Sequence, residues 1–139
     1  MKKGIYVAVD ILLFYKNEIL LIKRARKPYA GFYAFPGGFV KENERIKKAA
    51  LRELREETGI KLKQNQLKFF CYADKPNRDP RGRVISFVFY VLLREKPEVK
   101  ASRREIAKAE WFKINKALKL KLAFDHKEIL KSLVSFLKP

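Results

Sequence analysis

The chain has 139 residues, 47% of them hydrophobic and 35% charged, a length that suits one domain and is short for two. Its single cysteine, Cys71, excludes an intramolecular disulfide and fits a buried thiol in a reducing cytoplasm, and no apolar run reaches the roughly 18 residues of a membrane helix. The formal charge of +18 points to anionic partners, with nucleotide, nucleic acid and a merely Lys-rich surface all open at this level.

The basic pair Lys2-Lys3 is followed by an apolar stretch, but Asp10 interrupts it and no small-residue cleavage site follows, which argues against a signal peptide. From Ile5 to Tyr15 the chain is rich in β-branched and aromatic residues. Lys16-Asn17-Glu18 then separates it from Ile19 to Ile22, a β-hairpin pattern. Residues 25 to 33 are basic and aromatic with Pro28 and Gly31, a loop, after which Ala34-Phe35 is a short strand and Pro36-Gly37-Gly38 a turn. Glu44 to Thr58 contains strong helix formers and no Gly or Pro, and Gly59 stands where a helix C-terminus closes. Leu67 to Tyr72 and Val84 to Leu93 read as strands on either side of the turn-rich segment Lys75 to Gly82. Trp111-Phe112 is a short strand. Asp125 caps a last helix to Leu137, in which Ile129, Leu130, Leu133 and Leu137 share a face and His126 serves the cap or solvent. This order predicts an α/β fold with a mixed sheet between helices.

In the first helix Glu53, Glu56 and Glu57 stand at i, i+3 and i+4, so their carboxylates converge. An acidic trio on a helix is ordinarily a solvated face. Here Ile46, Ala49, Ala50 and Leu54 define the apolar stripe, and Glu53 and Glu57 fall near its centre. Inward carboxylates must be paired, protonated or bound to metal. Arg52 can hold Glu56 but cannot neutralise all three, and hard oxygen donors of this kind suit magnesium.

Gly38, Glu44, Arg52-Glu53-Leu54, Glu56-Glu57 and Gly59-Ile60 together match the complete Nudix box in identity and spacing, and Leu20 to Arg24, Phe35-Pro36-Gly37-Gly38 and Trp111-Phe112 resemble the flanking family strands. The resemblance implies an α/β/α sandwich with a mixed sheet, the box forming a loop-helix-loop. It implies Glu53, Glu56, Glu57 and the Gly37 carbonyl as ligands of Mg2+, with Mn2+ as a substitute, Arg52 as the residue orienting one ligand, and Glu44 and Gly38 as support. A further acidic residue before the Trp-Phe strand is expected to bind metal or act as base, with Glu105 the first candidate and Glu110 the alternative. Many relatives are homodimers.

The implied reaction is metal-assisted attack of water on a diphosphate in a nucleoside diphosphate derivative. Pro76, downstream of the box, resembles the marker of the ADP-ribose pyrophosphatase branch, which implies ADP-ribose as substrate and AMP and ribose 5-phosphate as products. Arg24, Arg26, Arg78 and Arg81 are candidate phosphate or ribose contacts and Tyr33 a candidate stacking partner for adenine. Diadenosine polyphosphates, NADH and nucleoside triphosphates are alternative substrates. A Nudix module that binds nucleic acid without catalysis is the alternative from another class.

Overall fold

A computed structural model describes residues 3–138, so Lys2 of the basic pair lies outside the described residues. Its elements run β1 (Ile5–Tyr15), β2 (Glu18–Arg24), β3 (Tyr33–Ala34), β4 (Gly37–Phe39), α1 (Ile46–Thr58), β5 (Lys68–Ala73), β6 (Arg83–Leu93), β7 (Ile106–Lys113), the short α2 (Ile114–Ala117) and α3 (His126–Leu137). The strands form one seven-stranded mixed sheet. At its centre β1 and β6 run parallel from Ile5 opposite Arg83 to Tyr15 opposite Leu93, while β2 returns antiparallel to β1 through the Phe14–Ile19 pair.

The apolar run of β1, broken only by Asp10, reflects a strand covered on both faces. Ile11 and Leu13 join Ala49, Ala50 and Leu54 of α1, whereas Leu12 and Phe14, one residue out of phase, join Ile129, Leu130 and Leu133 of α3. Helices therefore cover both sides of the sheet, the sandwich expected from the sequence. Leu137 completes the α3 stripe as a partly buried member.

Several boundaries differ from the sequence reading. Gly37-Gly38 is not a free turn but part of β4, which pairs with Ala8–Asp10 of β1. The Trp111-Phe112 strand extends from Ile106 to Lys113 because β2 pairs with it along its length. Helix α1 starts at Ile46, since Glu44 belongs to a preceding turn in which its backbone N–H donates to the Lys41 carbonyl at 3.1 Å. Gly59 closes α1 as expected, in the left-handed region at φ 78° with its N–H on the Arg55 carbonyl. Asp125 precedes α3 but makes no side-chain capping bond, because its carboxylate is held elsewhere. Cys71 is partly rather than fully buried, and burial raises its thiol pKa.

Candidate active site

Helix α1 presents its acidic trio toward the sheet. Glu53 and Glu57 are 5% and 7% exposed, in phase with Ala49, Ala50 and Leu54, so the phase argument made from sequence holds. Glu56 stands at the edge of this face with its side chain 31% exposed. Glu57 accepts a hydrogen bond from the Gly37 N–H at 2.8 Å, which fastens the helix to β4. Burial pushes its carboxyl well above the usual range, and the nearby Glu53 and Asp10 charges push the same way against the Gly37 bond. A side chain at Gly38 would collide with the Glu53 carboxyl group, so the glycine is what allows β4 to lie this close to the helix.

Arg52 binds the cluster together. Its Nε donates to Glu44 at 2.6 Å, one Nη to Glu53 at 2.7 Å and Glu56 at 3.1 Å, and the other to Glu44 and the Phe39 carbonyl. This bond brings the Glu44 carboxyl down to about 2. A second cation enters from the loop before β7: Arg103 donates to Glu53 at 2.8 Å, pairs with Glu56 and lies 4.0 Å from Glu57. Among the described residues no three acidic, His or Cys side chains are arranged as a closed metal cage. The donor set nevertheless fits a hard divalent cation: three carboxylates converge beside a glycine cradle, and positive charge is already gathered there.

Glu57 also lines a cleft between β1, β4 and α3. Asp10, buried in β1, accepts from the Ser86 hydroxyl at 2.6 Å and lies 3.4 Å from His126 Nε2. His126 Nδ1 accepts from the Phe35 N–H at 3.2 Å, which places the ring proton on Nε2, and the ring stacks on Phe35 at 4.3 Å. His126 thus belongs to the buried floor and not to solvent. Arg24 and Arg81 line the same cleft, 5.2 and 5.8 Å from the Phe124 ring, and Arg81, held by a two-point pair with Asp79 at 3.1 and 2.8 Å, also packs 5.0 Å from Phe39. Burial, reinforced by the Arg81 charge, lowers the Arg24 pKa.

The other residues singled out from sequence occupy different places. Arg78 reaches the cleft floor, but its guanidinium is consumed by a two-point pair with Asp125 at 3.0 and 2.7 Å and is buried, which makes it a brace between the β5–β6 loop and α3. Pro76 is exposed and occupies the second position of a turn closed by the Arg78 N–H on the Lys75 carbonyl. Arg26 is on the surface 4.0 Å from Glu105, whose own side chain is 54% exposed. Tyr33 donates to Glu110 at 2.9 Å and packs edge-on against Phe112, away from the residues lining the cleft. Asp10, His126, Phe124 and Arg103 were not singled out as site residues. Asp10 had a signal, a carboxylate in the middle of a buried strand that needs a partner, whereas Arg103 is one arginine among many in a charged stretch.

Residues 5–133 match the NUDIX domain family. The chain is 45% identical over 125 residues to the ADP-ribose pyrophosphatase of Methanocaldococcus jannaschii, covering 90% of this chain and 70% of the relative. It is 33% identical to an ADPR-responsive transcriptional repressor of Acinetobacter baylyi, covering 89% of this chain but only 51% of the repressor's length. The NUDIX domain of Shewanella oneidensis NrtR, solved with ADP ribose, superposes with a TM-score of 0.89 at 24% identity, covering 99% of this chain and 91% of that one. The chain belongs to the Nudix hydrolase family, enzymes that cleave diphosphate linkages with the help of a divalent metal ion. Among the described residues no helix is long and apolar enough to cross a membrane.

Proposed function

We propose that the protein hydrolyses ADP-ribose to AMP and ribose 5-phosphate, with Mg2+ as its metal and Mn2+ as a substitute. The observation that carries this reading is the junction of two features: Glu57 of the box lines the same cleft as Arg24 and Arg81. The 45% identity to an ADP-ribose pyrophosphatase supports the choice of substrate.

In this reading Glu53, Glu56, Glu57 and the Gly37 carbonyl hold the metal, which when bound neutralises diphosphate charge and makes water a competent nucleophile. The chain's own residues do the rest. Arg52, fixed by Glu44 and the Phe39 carbonyl, orients Glu53 and Glu56. Arg24 and Arg81 bind the anionic substrate, and Phe124, over whose ring both guanidinium groups lie, holds them in place. The Asp10–His126 pair keeps the floor rigid. Arg78, engaged by Asp125, and Pro76 shape the wall through the loop they support. Glu105 and Arg26 lie outside the reaction.

A cytoplasmic setting is proposed with it, on the single free Cys71. A homodimer is also proposed, supported by Phe69 and Tyr72, which are 50% and 60% exposed on β5, the last strand of the sheet's main path. Sedimentation of the purified protein tests the assembly, and a monomer at all concentrations discards it.

Similarity to the repressor favours a second reading, an ADP-ribose-binding module without turnover. Hydrolysis of a panel of ADP-ribose, diadenosine polyphosphates, NADH and nucleoside triphosphates, with and without Mg2+, separates them. Metal-dependent preference for ADP-ribose is expected. Preference for another nucleotide would keep the chemistry and replace the substrate. Binding of ADP-ribose or of nucleic acid with no turnover of any nucleotide would favour the module.

A further inference from the structure

The loop between β6 and β7 delivers a cation to the carboxylate cluster. The backbone N–H groups of Lys100 and Ser102 donate to the Thr58 and Glu57 carbonyls at 3.3 and 3.0 Å, which ties the loop to the end of α1. Arg103, the next residue, then reaches Glu53 Oε2 at 2.8 Å, pairs with Glu56 and sits 4.0 Å from Glu57 Oε2.

The two arginines at the cluster are not equivalent. Arg52 is 14% exposed and anchored from beneath by Glu44, whereas the Arg103 side chain is 30% exposed and comes from a loop. The carboxylate it grips, Glu53, is only 6% exposed. A guanidinium and a divalent ion draw on the same oxygen lone pairs, so one must leave when the other arrives. Arg103 is the partner with somewhere to go.

We propose that Arg103 is a tethered counter-cation that closes the Glu53–Glu56–Glu57 cluster in the metal-free protein and must be displaced when a divalent ion binds. The inference rests on the metal site proposed above. It gives the buried carboxylates a neutralising partner when no metal is present, and it sets the concentration of divalent ion at which the site loads. Loop 100–103 thereby couples metal occupancy to its own position.

The test is calorimetric titration of Mn2+ into chelator-treated wild type, Arg103→Ala, Arg103→Gln, Arg104→Ala and Glu56→Gln, together with the thermal midpoint of each without metal. Removal of Arg103 by either substitution should tighten Mn2+ binding about tenfold, the change expected from losing one charge-assisted competitor. It should also lower the metal-free midpoint and enlarge the rise produced by Mn2+. Arg104→Ala removes the same charge from the neighbouring position and should leave affinity unchanged. Equal or weaker binding by both Arg103 variants overturns the proposal, as does equal tightening by Arg104→Ala, which would mark a general charge effect. If neither wild type nor the Arg103 variants bind Mn2+ in a Glu56-dependent way, the metal site itself is misassigned, an outcome distinct from an intact site that ignores Arg103.

Discussion

Glu57 combines two demands that a glutamine meets only in part. Its Oε1 holds the Gly37 N–H, a bond that Glu57→Gln retains, but only the carboxylate offers negative charge to a cation. Glu57→Gln and Glu56→Gln should each lower metal-dependent turnover by at least about 10²-fold, the size of losing one electrostatic stabiliser. The thermal midpoint of metal-free Glu57→Gln should hold or rise, because a buried ionisable group has been neutralised; near-normal turnover in both variants would remove these residues from the site. Glu44 shows the opposite behaviour. Held by Arg52 at about 2 against an ordinary 4.5, it stabilises the fold above its unfolded value and loses that contribution as pH falls from about 4.5 toward about 2. Urea unfolding across this range should show an acid-sensitive limb in wild type that flattens in Glu44→Gln.

A buried pair ties the β5–β6 loop to the start of α3. The side chains of Arg78 and Asp125 are 3% and 11% exposed, so Arg78→Ala leaves a carboxylate without its partner in a dry setting. A loss of about 3–5 kcal/mol in urea unfolding is expected, and a loss confined to substrate affinity would instead make Arg78 a ligand contact. This brace also explains what could be read in the sequence at the level of elements. The position and inward phase of α1 are legible because periodicity is a local property, and the order of strands and helices is enough to place a mixed sheet between helices. The sequence alone suggests a ligand contact for Arg78 and a cap or solvent position for His126, because the partners the structure gives them, Asp125 and Asp10 respectively, lie far away in the chain. Nothing at a single position distinguishes an arginine that meets substrate from one that meets a distant carboxylate. The eight-residue extent of β7 was hidden for the same reason, since Lys108 and Glu110 conform to a strand only through pairing with β2.

Across the whole molecule, a charge of +18 surrounds a local cluster of acid. The basic exterior should raise the encounter rate with a nucleotide anion and lose that benefit as salt rises, because the screening length shrinks from about 10 Å at 0.1 M to about 3 Å at 1 M. KM should therefore increase with ionic strength while kcat changes little; a flat KM would assign substrate capture to the cleft arginines alone. The sheet that supports this surface has a further consequence through its central pair. Because β1 finds its long parallel partner only in β6, the middle of the sheet joins parts of the chain that are distant in sequence. Closing so large a loop costs entropy before any contact repays it, and such topologies fold on the millisecond-to-second scale. During synthesis, β1 emerges before β6 and waits with one edge unpaired until Arg83 to Leu93 have left the ribosome. Lysines such as Lys16 and Lys23 beside the early strands work against pairing of that edge with another copy.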